Sequence, residues 1–172
     1  MMERSEKKLA ELGKVLNGGK NREIESRISL LRTEPPFEGA LKLVALYYDR
    51  TDDENIKQSI TGLFNDLKEK RFRSEVIEAI DAVTRPGSKA MLTSSCWQSG
   101  LDYSGHATAL AGFFMAGDYM TSLECFTVIE TCAADISDSD RTRIIFGMQQ
   151  QMDSWDTPKQ KLAGELIALL KG

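Results

Sequence analysis

The sequence predicts an all-α fold of about ten helices, and three observations carry that prediction. Only four prolines occur in 172 residues, at 35, 36, 86 and 158, each where a helix should be absent or beginning. The long proline-free intervals between them repeat apolar residues at helical spacing. No alternating apolar run bounded by turn dipeptides argues for a strand. The expected result is a set of helices of about 10–17 residues with short connections, as in helical hairpins. A chain of this length is expected to form one domain, 1–172, with an adequate core.

The elements follow in order. Segment 3–16 places Leu9, Leu12 and Leu16 on one stripe, and Asn17-Gly18-Gly19 ends it. Segment 21–33 repeats the pattern with Ile24, Ile28 and Leu31 before Glu34-Pro35-Pro36. From Phe37 to Tyr48 only Glu38 and Lys42 are charged, so this helix should be buried on most sides. Thr51 and Glu54 have the spacing of a capping box, which would open a helix carrying Ile56, Ile60, Leu63, Phe64 and Leu67. The basic run 68–73 reads as a solvated helix end, favoured near the negative end of a helix dipole. Val76, Ile77, Ile80 and Val83 make a short helix closed by Arg85-Pro86-Gly87, and 88–98 makes the next, with Met91, Leu92 and Trp97.

Beyond it, 106–116 carries no formal charge and should be buried. Gly117 stops it, and Asp118 is the expected N-cap of a helix through Ala133, with Leu123, Phe126, Ile129 and Ala133 facing the core. Ser137 to Asp140 opens a helix bearing Ile144, Ile145, Met148 and Met152. Thr157 is the expected cap before the first-turn Pro158, and Leu162, Leu166, Leu169 and Leu170 follow.

Charge is distributed unevenly. Between Lys89 and Arg141 there is no lysine or arginine, while Asp102, Asp118, Glu124, Glu130, Asp135, Asp138 and Asp140 supply seven carboxylates. That third is therefore −7 in a chain whose net charge is 22 − 26 = −4. Stacked helices would gather it into one negative wall suited to a basic partner surface. With 41% apolar and 28% charged residues the chain is too hydrophobic to be disordered. The charged start and the charge-free runs shorter than about 18 residues predict neither a secretory signal nor a membrane span. Cytoplasmic localisation is the expectation. Three cysteines, Cys96, Cys125 and Cys132, do not make a disulfide framework.

Sliding the chain by 66 residues superposes 40–67 on 106–133, bringing Asp52 onto Asp118, Tyr47-Tyr48 onto Phe113-Phe114, and Ile60 and Leu63 onto Phe126 and Ile129. Half that period, about 33, suits one helical hairpin of a solenoid. Over about 21–153 this rhythm resembles the HEAT and armadillo class of α-solenoid repeats. The resemblance implies a right-handed stack of antiparallel helical hairpins with capping helices at both ends. HEAT repeats commonly carry a basic residue in the second helix of each pair, and 90–140 has none, so the central units would be divergent.

No catalytic residue, metal ligand set or cofactor is expected. His106 is the only histidine, so any Ser-His-Asp or Cys-His relay must use it, and no nucleophile signature surrounds it; it reads as a first-turn helix residue. Cys125 and Cys132 share a helix side, but zinc requires four ligands, usually with short C-x-x-C spacing, so buried core thiols are the reading. Asn17-Gly18-Gly19-Lys20 lacks the length and Lys-Ser/Thr of a P-loop.

The basic run 68–73 stands alone and contains Glu69, in a chain of pI about 5.2, so nucleic acid is not the expected partner. The remaining cluster is Trp97, Gln98, Asp102 and Tyr103, two aromatics, an amide and a carboxylate at one turn. Such residues suit a protein-contact patch; their alternative role is core packing by Trp97 and Tyr103. The sequence thus favours a non-enzymatic protein-binding scaffold or adaptor contacting its partner around 97–103. The alternative is a HEAT-like nucleic-acid-processing enzyme, similar to the DNA glycosylases of that class, or an accessory subunit of an enzyme complex. The glycosylase resemblance would require Lys and Arg clustered on consecutive second helices, where this chain has few.

Overall fold

The structure, a computed structural model, describes the backbone of residues 2–172 and the side chains from residue 5 onward. The side chains of Met1 to Arg4 lie outside the described residues. Ten α-helices and four short 3-10 turns make up the regular structure, with no strand among the described residues. The helices gather into two compact units, 1–101 and 102–172.

Unit 1 contains α1 (Met2–Gly18), α2 (Asn21–Thr33), α3 (Ala40–Arg50), α4 (Glu54–Asn65), α5 (Arg73–Ala82) and α6 (Pro86–Gln98). Contacts run between α1 and α2, α3 and α4, and α5 and α6, and also between helices two apart: α1 with α3, α2 with α4, α3 with α5, α4 with α6. Leu12, Ile28, Leu41, Val44, Ile56, Ile60, Phe64, Ile80 and Leu92 are buried, at the spacings that predicted them. Burying each such side chain contributes about 1.5–3 kcal/mol.

Several helix ends in unit 1 are satisfied from another helix. Gly39 begins α3 at φ 84°, a left-handed conformation that favours glycine, and offers no side-chain cap. Glu75 on α5 supplies the cap instead, accepting from the Gly39 and Lys42 N–H groups at 3.1 and 3.0 Å. Asp49, near the end of α3, accepts from the Thr84 and Arg85 N–H groups at 2.9 Å and so caps α6. Lys68 and Lys89 donate to the carbonyls of Ser99 and Ile80, at the C-terminal ends of α6 and α5. The predicted capping box at 51–54 is displaced. Asp53 is the cap of α4, its Oδ1 accepting from Ile56 N–H, while Thr51 accepts from Asp53 N–H. Pro86 opens α6 as a first-turn proline instead of ending α5.

Unit 2 contains α7 (Ala107–Ala116), α8 (Tyr119–Cys132), α9 (Asp138–Gln151) and α10 (Thr157–Lys171). The contact scheme recurs: α7 with α8, α9 with α10, α7 with α9, and α8 with α10. Asp118 caps α8 through Thr121 N–H, as predicted, and Ser137, in the segment expected to open a helix, caps α9 through Asp140 N–H. The cap of α10 is Asp156, one residue before the expected Thr157.

The buried face of α8 differs from the expected one. Thr121, Ser122, Cys125, Val128, Ile129 and Cys132 face inward, while Leu123 and Phe126 are only half-buried. Close packing is the reason. Ala107 and Ala111 of α7 are buried, and Ser122 Oγ donates to the Phe114 carbonyl at 2.8 Å. A Cβ at Gly117 would stand 2.8 Å from the Phe113 carbonyl and 2.9 Å from Thr121 Cβ, so this turn admits only glycine.

Candidate functional site

The four residues expected to form a contact patch separate on burial. Tyr103 is 1% exposed and is a core side chain, which removes it from any contact surface. Trp97 is half-buried near the end of α6, while Gln98 and Asp102 are exposed. Trp97 and Gln98 belong to unit 1; Asp102 and Tyr103 begin unit 2. Asp102 is engaged locally, accepting from Ser104 N–H at 2.8 Å and Ser104 Oγ at 3.0 Å. That closes a side-chain turn. His106 lies in the 3-10 turn before α7, its ring tilted 55° to that of Tyr103 with centroids 6.0 Å apart.

The seven carboxylates of 102–140 are distributed from the turn before α7 to the first turn of α9. Asp118 stands at the start of α8 and Asp135 to Asp140 beyond its end, roughly 20 Å away along a 14-residue helix. Asp118 serves as a helix cap, and Asp138 and Asp140 lie in the first turn of α9, where a dipole favours negative charge.

The surface that does concentrate apolar groups is the outer face of α8. Tyr119 and Met120 are 42% and 51% exposed, and Leu123 and Phe126 continue the stripe at helical spacing. With Pro158, Lys161, Leu162 and Glu165 of α10, Tyr119, Leu123 and Phe126 wall an open groove of about 510 Å³.

Two charged sites in the fold carried no distinctive sequence signal. Lys159 on α10 is buried, its ammonium donating to the Met115 and Gly117 carbonyls at 2.9 and 2.7 Å, the last acceptors of α7. It also lies 4.8 Å from the Trp155 ring centroid and 5.8 Å from that of Phe114. Burial lowers its pKa, an effect opposed by the Asp156 and Asp118 carboxylates. The ammonium is committed to backbone carbonyls, which assigns it a structural role. At Asp49, burial pushes the pKa up, but the Thr84 and Arg85 N–H groups and the Ser88 and Thr84 hydroxyls outweigh it and hold the carboxyl below its ordinary value.

All three thiols are buried and none is in a disulfide. Burial, reinforced by Asp102 and Asp135, pushes the Cys132 thiol up to about 11, opposite to the shift that activates a nucleophile. No group of three or more His, Cys, Asp or Glu side chains among the described residues could hold a metal ion. The basic run is used internally: Lys68 caps α6, Arg71 pairs with Glu69 at 2.7 Å, and Arg73 donates to the Lys70 carbonyl. No described helix is long and apolar enough to cross a membrane. Compared with known protein families, curated proteins and solved structures, the chain matches none.

Proposed function

We propose that the chain is a stack of two-helix repeats of the HEAT kind and acts as a non-enzymatic scaffold holding another protein against the outer face of α8. Two features support the repeat reading. Contacts join successive pairs of helices and then helices two apart, the scheme expected of hairpins laid side by side. In unit 1, side-chain bonds between helices other than that of Lys89 to Ile80 span 31 to 36 residues, close to the 33-residue half-period in the sequence.

The observation that carries the binding reading is the apolar outer stripe of α8. Thr121, Ser122, Cys125 and Cys132 share the inward face with Val128 and Ile129, while Tyr119 and Met120 are exposed and Leu123 and Phe126 lie half-buried beside them. Single exposed apolar residues are ordinary, but two exposed and two half-buried ones on one helix stripe make a continuous patch, the usual mark of an interaction surface. Cytoplasmic residence remains part of this reading, as does a protein partner instead of nucleic acid.

The test compares the wild-type chain with a Tyr119→Ser/Phe126→Ser double variant in affinity capture with quantitative mass spectrometry. A partner retained by the wild type, lost by the double variant at unchanged helical circular dichroism, and kept by Trp97→Ala supports the reading. Loss with Trp97→Ala alone would return the contact to the end of α6. Identical retained sets for all three proteins would remove the binding role of both surfaces.

A further inference from the structure

The turn that ends α1 carries the groups for a reaction within the chain itself. Asn17 is one of four asparagines and the only one followed by glycine; the others precede Arg22, Ile56 and Asp66. In such a pair the backbone nitrogen of the second residue can attack the side-chain carbonyl carbon of the first. Glycine permits this most readily, because no Cβ crowds the nitrogen and the backbone rotates freely. Asn17 and Gly18 are both exposed, and the space a Cβ would take at Gly18 is open to 4 Å. They are the last two residues of α1, and Gly19 N–H bonds the Val15 carbonyl at 2.8 Å. Fraying of that final turn frees the Gly18 nitrogen, and helix ends open at little cost.

A second residue meets this turn from another helix. Arg50, the last residue of α3, donates from its guanidinium to Asn17 Oδ1 and lies 5.1 Å from the Tyr47 ring centroid. Oδ1 is the oxygen on which negative charge collects when Cγ is attacked. A cation held at that atom stabilises the tetrahedral intermediate as an oxyanion-hole donor does. The guanidinium stays charged throughout the neutral and mildly alkaline range.

We propose that Asn17 is a site of self-modification, deamidating through a succinimide with Arg50 assisting at Oδ1. The bond from Gly18 N to Asn17 Cγ forms, the Cγ–Nδ2 bond breaks, and ammonia leaves with the proton of the Gly18 amide. Water then opens the ring at either carbonyl, giving aspartate or isoaspartate at position 17. Either product adds one negative charge beside the Arg50 guanidinium, and isoaspartate also inserts an extra backbone carbon between α1 and α2.

In the test, the full chain is held in warm, mildly alkaline buffer and sampled by peptide mass mapping. Asn17 gains one mass unit ahead of Asn21, Asn55 and Asn65. Isoaspartate accompanies aspartate, which direct hydrolysis of the amide does not give. Gly18→Ala slows the conversion about tenfold or more, since a Cβ crowds the nitrogen and alanine holds the helix end. Arg50→Gln slows it about threefold, less than the loss of a donor at a buried site. Arg50→Lys keeps a cation and recovers part of the rate. Circular dichroism matched to wild type keeps each comparison between folded chains.

The sign of the Arg50→Gln effect separates assistance from a structural tie. If Arg50 only fastened α1 to α3, its removal would loosen the turn and speed the reaction. Conversion at Asn17 no faster than at the other three asparagines, aspartate without isoaspartate, or an Arg50→Gln rate equal to or above that of wild type overturns the proposal.

Discussion

Units 1 and 2 share a contact scheme but use their charges differently. In unit 1, with 17 basic and 16 acidic residues, charges join helix to helix, and Lys68 and Lys89 also bond helix-end carbonyls. Asp53 caps α4 while accepting from Asn21 at 2.7 Å, Arg85 reaches Asp52 at 2.9 Å, and Arg32 pairs with Asp66. In unit 2, with 5 basic and 10 acidic residues, the two best-anchored cations are bound to carbonyls. Lys159 holds the end of α7. Arg141 donates to the Ala133, Ile136 and Leu170 carbonyls, at the ends of α8 and α10. A cation bound to a carbonyl steadies a helix end without cancelling a carboxylate. By composition unit 1 is nearly neutral at 17 − 16 = +1, whereas unit 2 carries 5 − 10 = −5 beside the apolar stripe of α8. That difference is why the binding surface is assigned to unit 2.

The largest expected effect tests whether the carbonyl-bound cations are what unit 2 depends on. Lys159→Met leaves two buried carbonyls without donors and should destabilise unit 2 by about 3 kcal/mol. Relief of the desolvated charge offsets only part of this. Urea unfolding followed by Trp155 fluorescence in a Trp97→Phe background reads unit 2 alone. A midpoint unmoved by the substitution would mean that the carbonyls find water, and that the two units do not differ in this respect.

A middle-sized effect belongs to the helix-to-helix charges of unit 1. Asp49→Ala should cost about 2 kcal/mol near neutrality, because the start of α6 loses its acceptor. The folded pKa of Asp49 is lowered, so its stabilisation is present above the ordinary value of 3.8 and lost as pH falls below it toward the folded value. The gap between wild type and variant should therefore narrow in denaturation curves recorded below pH 3.8. A gap constant down to the most acid pH would mean that the carboxylate charge contributes nothing at this cap.

The smallest effect is expected on the outside of unit 2. Phe146, 64% exposed on α9, should tolerate serine within about 0.5 kcal/mol in thermal unfolding. A larger loss would show that exposed aromatics in this unit already have a folding role, which would weaken the case for α8 as well.

Much of the fold was legible because helical spacing and stop signals are local. Ile24, Ile28 and Leu31, or Leu162, Leu166 and Leu170, announce their buried faces directly. Asp118 was readable as a cap, and 137–140 as a helix start, for the same reason. Where two acceptors compete within three residues, as Thr51 and Asp53 do, spacing alone does not choose between them. The face of α8 was misread because size outweighed hydrophobicity. Gly117 and the alanines of α7 leave room only for small side chains, so Ser122 and Cys125 turn inward and Phe126 outward. Lys159 and Glu75 were invisible as caps because their acceptors and donors lie more than 30 residues away.

Cys96 sits in α6, and Cys125 and Cys132 in α8, all shielded from solvent. Each unit therefore carries its own internal clock. A maleimide or disulfide reagent can react only when the surrounding helices part, so the labelling rate of each thiol reports how often its unit breathes. Occupation of the α8 face should slow labelling at residues 125 and 132 while leaving 96 unaffected, giving a readout of partner binding that needs no engineered probe.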